Sequence, residues 1–208
     1  MGYYRLDGPN HPGRSWMDMA LTSRWNATSR NVKPWLSLAL LPVVACSDAA
    51  SNMGGNISEE PDELAGITQL HNDVRAAVGV EPLVWDPRLA EIAASWAAQC
   101  VDRNPSDGLV DHNDGRSQGY PSYVGENIFG SSGDATASDA VSAWASERAK
   151  YDEASNTCTG VCGHYTQIVW RATTMVGCAK TTCAGLRFPS TIVCNYGPGG
   201  NISGERPY

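Results

Sequence analysis

The sequence predicts an α+β fold in which helices come first along the chain and paired strands come last. Apolar residues recur three or four positions apart in several segments before residue 150, which is the period of one helix face. Two runs near the C-terminus have strand character, and six of the seven cysteines lie between Cys100 and Cys194. Helices followed by paired strands are typical of the α+β class.

Three helices are expected. The first covers residues 63–78, where apolar side chains share one face, and His71 beside that face is expected to have a structural role. The second follows Asp86, a good N-cap, and Pro87, which is favoured in a first helical turn. The third is expected to run from residue 138 or 139 to residue 150.

Two strands are expected at residues 175–181 and 191–196, joined by a turn at Gly185. Residues 105–138 are rich in Gly, Asp, Asn and Ser, so a loop is expected there, with short ordered pieces around residues 125–128. Loops of this length usually carry function.

The balance of charge limits the expected partners. The chain of 208 residues has a net charge of −7, and from Cys46 onward it holds ten Lys and Arg against twenty Asp and Glu. Nucleic acid is not expected as a partner, because phosphate binding requires clustered cations. Adsorption to anionic lipid headgroups is disfavoured for the same reason. Any membrane contact is therefore expected to come through an anchor.

The N-terminal part of the chain has the features of an export signal. The apolar run at residues 35–45 is too short to span a bilayer, which needs about 20 residues. The basic region before it contains Arg24, Arg30 and Lys33. The four residues Val43-Val44-Ala45-Cys46 resemble the lipobox of bacterial lipoproteins, in which the cysteine is acylated and becomes the mature N-terminus. The alternative is an ordinary signal peptide that leaves Cys46 free.

The expected organisation has three parts. Residues 1–45 are an N-terminal extension and lipoprotein signal peptide, residues 46–58 are the lipidated Cys46 and a flexible tether, and residues 59–208 are one folded domain. Translation is expected to start at Met17 or Met19, with a genuine N-terminal extension as the alternative. The protein is expected to be exported and membrane-anchored at the cell surface or in the periplasm, or secreted.

Four stretches of the sequence resemble the diagnostic motifs of one family. Residues 163–173 read Gly-His-Tyr-Thr-Gln-Ile-Val-Trp-Arg-Ala-Thr, and residues 192–202 read Ile-Val-Cys-Asn-Tyr-Gly-Pro-Gly-Gly-Asn-Ile. Residues 71–75 read His-Asn-Asp-Val-Arg, and residues 125–128 read Gly-Glu-Asn-Ile. They resemble motifs of the CAP superfamily, which unites cysteine-rich secretory proteins, antigen 5 and plant pathogenesis-related proteins. The chain departs from the family pattern at Thr191, where a large apolar residue is preferred.

This resemblance implies a three-layer α-β-α sandwich (the CAP or SCP fold) with a small antiparallel sheet and an open cleft lined by two histidines and two glutamates. Carried over position by position, these residues are His112, Glu126, Glu147 and His164. Two imidazoles and two carboxylates suit Zn²⁺ or another divalent cation, with room for water or a ligand. The same four groups could instead exchange protons without a metal.

The six domain cysteines have two interpretations. They could form a zinc site from Cys158, Cys162, Cys178 and Cys183. Export into an oxidising compartment favours disulfides instead. The resemblance to plant members implies the pairs Cys158–Cys162, Cys178–Cys194 and Cys100–Cys183.

The favoured function is a binding protein rather than an enzyme. The resemblance implies a lipid or sterol-like small molecule, or a protein partner, bound at the His/Glu cleft. The sequence contains no Gly-x-Ser-x-Gly elbow and no His-Glu-x-x-His motif, so no nucleophile or standard zinc-protease site is evident.

Two alternatives stay open. One is a metal-dependent, peptidase-like hydrolase in which Glu126 or Glu147 is the general base and the histidines bind the metal. The other is a structural or peptide-precursor role, since residues 198–208 resemble a peptide released from plant members as a defence signal. A tail that closes the sandwich is the simpler interpretation of those residues.

Overall fold

The computed structural model describes residues 2–5, 59–103 and 106–208. Apart from the backbone of Gly2–Arg5, the predicted signal, Cys46 and the tether lie outside these residues. None of the helices in the described part of the chain is long and apolar enough to cross a membrane.

Helices and strands are interleaved along the described domain. The helices are α1 (Ile67–Ala76), α2 (Pro87–Ala97), α3 (Ala137–Ser146) and α4 (Gly163–Ile168), with short 3-10 turns at Asp62–Leu64 and Glu147–Lys150. The strands are β1 (Gly2–Arg5), β2 (Val84–Trp85), β3 (Gly125–Ser131), β4 (Tyr151–Asp152), β5 (Thr157–Cys158), β6 (Met175–Thr182) and β7 (Ser190–Gly197).

Five strands form the main sheet in the order β1-β3-β7-β6-β2, and β4 pairs with β5 separately. Strands β3, β7 and β6 are antiparallel neighbours, whereas β2 runs parallel to β6. Every residue of β7 is buried. The predicted strands at residues 175–181 and 191–196 are therefore confirmed as β6 and β7, each slightly longer than expected.

The sheet is the middle of three layers. Because alternate strand residues point to opposite faces, Phe129 and Ile192 pack with α1, α3 and α4 on one side. Their neighbours Ile128 and Val193 pack against α2 on the other side. The predicted three-layer α-β-α sandwich is confirmed.

Helix α2 lies directly on β6. A Cβ atom on Gly177 would be 2.2 Å from the backbone nitrogen of Ala90 and 2.4 Å from the carbonyl oxygen of Asp86, so only glycine fits there. Asp86 caps the helix, as predicted, by accepting hydrogen bonds from the N–H groups of Arg88 and Leu89.

The first predicted helix, residues 63–78, is interrupted in the structure. The 3-10 turn Asp62–Leu64 ends before Gly66, whose φ of +83° lies in the left-handed region. Such a residue cannot continue a right-handed helix, so α1 begins only at Ile67.

The third predicted helix begins slightly earlier than expected, at Ala137. The reason is a capping box, in which Thr136 and Asp139 exchange hydrogen bonds through their side chains and backbone N–H groups. Its last predicted turn is the 3-10 turn Glu147–Lys150.

Strand β1 pairs antiparallel with β3 at the edge of the sheet. From the sequence, these residues belong to an extension ahead of the export signal. The structure instead adds their backbone to the sheet, where they satisfy N–H and C=O groups along the outer edge of β3.

Three disulfides link the domain, and together they use every cysteine of the described residues. They join Cys100 to Cys183, Cys158 to Cys162, and Cys178 to Cys194. This is the pairing that the resemblance to plant members implies. With their sulfurs paired, these cysteines do not form the alternative zinc site.

Candidate functional site

His112 and Glu126 form the first of two His–Glu pairs. Nδ1 of His112 lies 2.7 Å from Oε1 of Glu126. The glutamate side chain is fully buried, whereas 11% of the histidine side chain is exposed. Because an ionised carboxylate only accepts hydrogen bonds, Nδ1 carries a proton.

Glu126, near the start of β3, is held by two further groups. The backbone N–H of Asn113 donates to its Oε1 at 2.9 Å. With its amide oriented to satisfy both of its neighbours, Asn195 of β7 donates to Oε2 of Glu126 at 3.2 Å and accepts from the backbone N–H of Ala93 in α2. This pair therefore lies on the α2 side of the sheet.

Glu147 and His164 form the second pair, in the opposite layer. Glu147 caps the C-terminus of α3, and His164 lies in the first turn of α4. The carboxylate accepts from Nδ1 of His164 at 2.9 Å and from the backbone N–H groups of His164 at 2.9 Å and Tyr165 at 3.2 Å. Those N–H groups have no acceptor within their own helix. Both side chains of the pair are buried, and the imidazole of His164 is nearly parallel to the Trp144 ring.

The start of β3 separates the two pairs. Asn127 follows Glu126 and points to the opposite face of the sheet. Its amide donates to the carbonyl oxygen of His164 at 3.1 Å and to the hydroxyl of Tyr196 at 3.0 Å. The four residues predicted from the motifs are thus arranged as two pairs, one on each side of this strand. That all four line one open cleft stays a prediction.

His71 belongs to a buried hydrogen-bond network behind the second pair. Its Nδ1 donates to the carbonyl of Ile67 at 2.7 Å, and its Nε2 lies 2.8 Å from the hydroxyl of Tyr196. Burial lowers the pKa of His71 to about 4, so the ring is neutral at pH 7 and Nε2 accepts the tyrosine proton. Through Tyr196 and Asn127 the network reaches the backbone of His164. These contacts agree with the structural role expected for His71.

Arg75 fastens the chain segment that follows α4. Its guanidinium donates to the carbonyl oxygens of Ile168 at 2.6 Å, Trp170 at 2.9 Å and Thr173 at 2.9 Å. A fourth bond reaches the carbonyl of Glu81 at 2.7 Å. Burial lowers the pKa of Arg75 to about 10, which leaves it charged at pH 7.

The two pairs differ from a preformed metal centre. Within the described residues, no group of three or more His, Cys, Asp or Glu side chains is arranged to hold a metal ion. However, a carboxylate bonded to one imidazole nitrogen is the arrangement that orients metal-binding histidines. The chemistry of each pair therefore fits one histidine ligand supported by a carboxylate.

The family motifs indicated the four paired residues, but they did not indicate that three asparagines hold them in place. Asn113 and Asn195 fix Glu126, and Asn127 connects β3 to α4. Two of these asparagines lie inside the motif stretches, at residues 125–128 and 192–202. Because successive residues of a strand point to opposite faces of the sheet, the sequence already implied that Glu126 and Asn127 lie on different sides of β3.

Comparisons with known proteins identify relatives of this domain. The model of the cysteine-rich secretory protein family, CAP, matches residues 68–196, which is more than half of the chain. Pathogenesis-related protein 1 of Arabidopsis thaliana is 42% identical over 152 residues, covering 73% of this chain and 86% of that protein. Pathogenesis-related protein PRMS of Zea mays is 46% identical over 141 residues, covering 66% of this chain and 77% of that protein.

Solved structures agree with the sequence comparisons. Venom allergen-like protein 4 of Schistosoma mansoni has a TM-score of 0.54 at 30% identity, with 71% of this chain and 94% of that chain covered. NaASP2, in a crystal structure with Zn²⁺, has a TM-score of 0.56 at 25% identity, with 72% of this chain and 90% of that chain covered.

Proposed function

This chain belongs to the cysteine-rich secretory protein (CAP) family and resembles its pathogenesis-related members, and from that premise we propose that its domain is a binding module. As the family resemblance implies, the ligand would lie in a cleft whose walls carry the His112–Glu126 and His164–Glu147 pairs, with His112 as the most exposed of the four side chains. One observation carries the proposal: both imidazoles are held in a fixed orientation by carboxylates that are themselves fully buried. A site whose side chains are already oriented loses less entropy on binding.

The hydrolase alternative has less support from the same contacts. A general base must be able to take a proton from water or substrate. The carboxylates of Glu126 and Glu147 each accept hydrogen bonds from an imidazole and from backbone N–H groups. Either carboxylate would have to release a protein donor before acting as a base.

We propose that both pairs face one cleft, as the family resemblance implies, and that Zn²⁺ or another divalent cation there would be bound by the imidazoles of His112 and His164. Glu126 and Glu147 would then orient the two rings through Nδ1 rather than bind the ion themselves. Such an ion supplies a Lewis-acidic position for an oxygen or nitrogen atom of the ligand. The structure of NaASP2 with Zn²⁺ makes this the first ion to test.

The metal proposal is tested by NMR of the histidine ring nitrogens during a Zn²⁺ titration of the exported protein. We expect the Nε2 signals of His112 and His164 to shift, while His71 serves as an internal control because its two nitrogens bond to Ile67 and Tyr196. Glu126→Gln and Glu147→Gln are each expected to weaken Zn²⁺ binding by about 10- to 100-fold. Unchanged signals at His112 and His164 at saturating Zn²⁺ would overturn metal binding.

The choice between binding module and hydrolase needs a separate measurement. The protein is incubated with a broad peptide library, with and without Zn²⁺, and the products are analysed by mass spectrometry. We expect intact peptides. Cleavage by the wild type that disappears in Glu126→Gln or Glu147→Gln would overturn the binding-module proposal in favour of the hydrolase.

We also propose that the domain acts outside the cytoplasm, where its three disulfides would persist. Lipidation at Cys46 would tether it to a membrane, and processing there would remove β1 and leave β3 at the edge of the sheet. Membrane fractionation tests the anchor: Cys46→Ser is expected to move the protein from the membrane to the soluble fraction. An unchanged distribution would contradict lipidation.

The family resemblance favours a lipid or sterol-like molecule or a protein partner. On the side of the site next to His112, however, the described surface also carries polar residues, among them Glu91, Gln99, Asn113 and Gln118. That mixed lining favours a ligand with both polar and apolar groups on this side.

A further inference from the structure

An open groove runs between the outer face of α2 and the loop at residues 113–119. It encloses about 470 Å³, which lies within the range of roughly 300–1,000 Å³ for small-molecule sites. Its lining includes Arg88, Glu91, Trp96, Gln99, Asn113 and Gln118, with Ile92 as a further apolar member. Asn113 connects the groove to the His/Glu site, because its backbone N–H donates to Glu126.

Trp96 provides the groove with an aromatic surface. The indole is half-buried, and its N–H donates to the carbonyl of Asp111 at 2.6 Å. Because that bond uses its polar group, Trp96 contributes ring carbon atoms to the groove. The bond also fixes the ring, so little side-chain entropy remains to be lost on binding.

The two walls of the groove are fastened to each other. Arg88 of α2 donates to the carbonyl of Gly119 at 2.6 Å and lies over the ring of Tyr120, 5.5 Å from its centroid. The Tyr120 hydroxyl donates in turn to Asp86 at 2.7 Å, the residue that caps α2. The loop is therefore held against the helix, and the groove is formed before any ligand arrives.

Planar polar side chains line the same groove as Trp96. Glu91, Gln99 and Gln118 are exposed and offer both donors and acceptors of hydrogen bonds. The charges of Arg88 and Glu91 balance, and the domain as a whole carries an excess of acidic residues. An anionic ligand would be repelled by that field, and the donors and acceptors of these side chains favour a ligand that carries hydroxyl groups.

We propose that this groove binds a chain of uncharged sugar residues. A sugar ring has an apolar face of C–H groups, which packs on the indole of Trp96, and a rim of hydroxyls, which bond to Glu91, Gln99 and Gln118. The shape of the groove, open along the helix, accommodates more than one ring. The inference goes beyond the binding module proposed above and does not depend on a metal at His112 and His164.

The test is isothermal titration of the exported protein with three hexasaccharides, one each from chitin, cellulose and the anionic polymer polygalacturonate, in the presence of EDTA. We expect at least one of the neutral hexasaccharides to bind and the anionic one not to bind. Trp96→Ala is expected to raise the dissociation constant by about tenfold or more. A Gln99→Ala, Gln118→Ala double variant, which alters exposed residues only, is expected to weaken binding several-fold.

Gln69→Ala is the matched control. Gln69 is exposed on α1 and bonds to Asp73 within its own helix, as Gln99, just after the end of α2, bonds to the carbonyl of Ser95 in that helix. Its loss should leave sugar binding unchanged. The proposal is overturned if neither neutral hexasaccharide binds, if polygalacturonate binds more tightly, or if the double variant binds like the wild type. Because EDTA removes divalent ions, failure here does not count against the His/Glu site.

Discussion

The neutral state of His71 follows from its position between α1 and β7. The ring is fully buried, 5.6 Å from the Tyr196 ring and 6.0 Å from the Trp144 ring. Burial holds its pKa at about 4 in the folded domain, whereas a histidine in an unfolded chain has a pKa of about 6.5. Between these two pH values the unfolded chain therefore binds more protons than the folded domain.

The free energy of unfolding should consequently fall as the pH is lowered from about 6.5 to 4, by up to roughly 3 kcal/mol from His71 alone. His71→Phe removes the proton and should flatten this part of the pH profile, although the variant is less stable at pH 7 because the Tyr196 hydroxyl loses its acceptor. Urea unfolding at a series of pH values measures both effects. Parallel profiles for wild type and variant would contradict the assigned role.

The sequence carries information on single residues where a motif specifies the side chain. The motifs indicated His112, Glu126, Glu147 and His164 as residues of interest. The partners of Arg75 could not be predicted, because its hydrogen bonds go to carbonyl oxygens, which every residue possesses. Backbone acceptors leave no signal in the sequence, so such contacts become visible only in three dimensions.

Among the elements, helix α4 was missed although it carries His164. It has only six residues, and five of them, His164 to Ile168, are buried, so no polar face alternates with an apolar one. What defines the helix is tertiary: the Glu147 carboxylate accepts from its first-turn N–H groups, and the Cys158–Cys162 disulfide lies directly before it. Strand β3 was expected only as short ordered pieces, since it too is buried on both faces.

The close packing of α2 on β6 can be tested at Gly177. In Gly177→Ala the new Cβ would meet the backbone of Asp86 and Ala90, which cannot move without displacing α2 from the sheet. We expect a loss of about 2–3 kcal/mol in the free energy of unfolding. Gly133→Ala is the matched control, because its Cβ would lie 3.8 Å from the nearest atom. Equal stabilities for the two variants, measured by urea unfolding, would show that α2 is free to shift.

For the whole molecule, helix and strand periodicity predicted an α+β domain but not its layers. The α-β-α arrangement came from the family motifs, since nothing in the pattern of α2 indicates that it packs alone on one face. The disulfide pairing was likewise implied by resemblance, because six cysteines can be joined in many ways. Long-range arrangement of this kind is decided by which surfaces meet, and local sequence describes each surface only separately.

The disulfides should differ in their effect on stability. Cys100 and Cys183 are separated by 83 positions, and Cys158 and Cys162 by 4. A crosslink restricts the unfolded chain more when it closes a longer loop, so replacing the long-range pair by alanine should cost about 2–3 kcal/mol more than replacing the short-range pair. Urea unfolding of the two double-alanine variants measures the difference. Equal losses would mean that native-state contacts, rather than loop closure, dominate.

The central position of β7 has a consequence for how the domain exchanges hydrogen with solvent. This strand lies between β3 and β6, is covered by helices on both faces, and is buried at every residue. If only one helical layer opens, the backbone N–H groups of β7 stay hydrogen-bonded to β3 and β6 and are protected from exchange with deuterium oxide. Their exchange should therefore require complete opening of the domain, so a peptide spanning Ser190–Gly197 would act as an internal reporter of global stability.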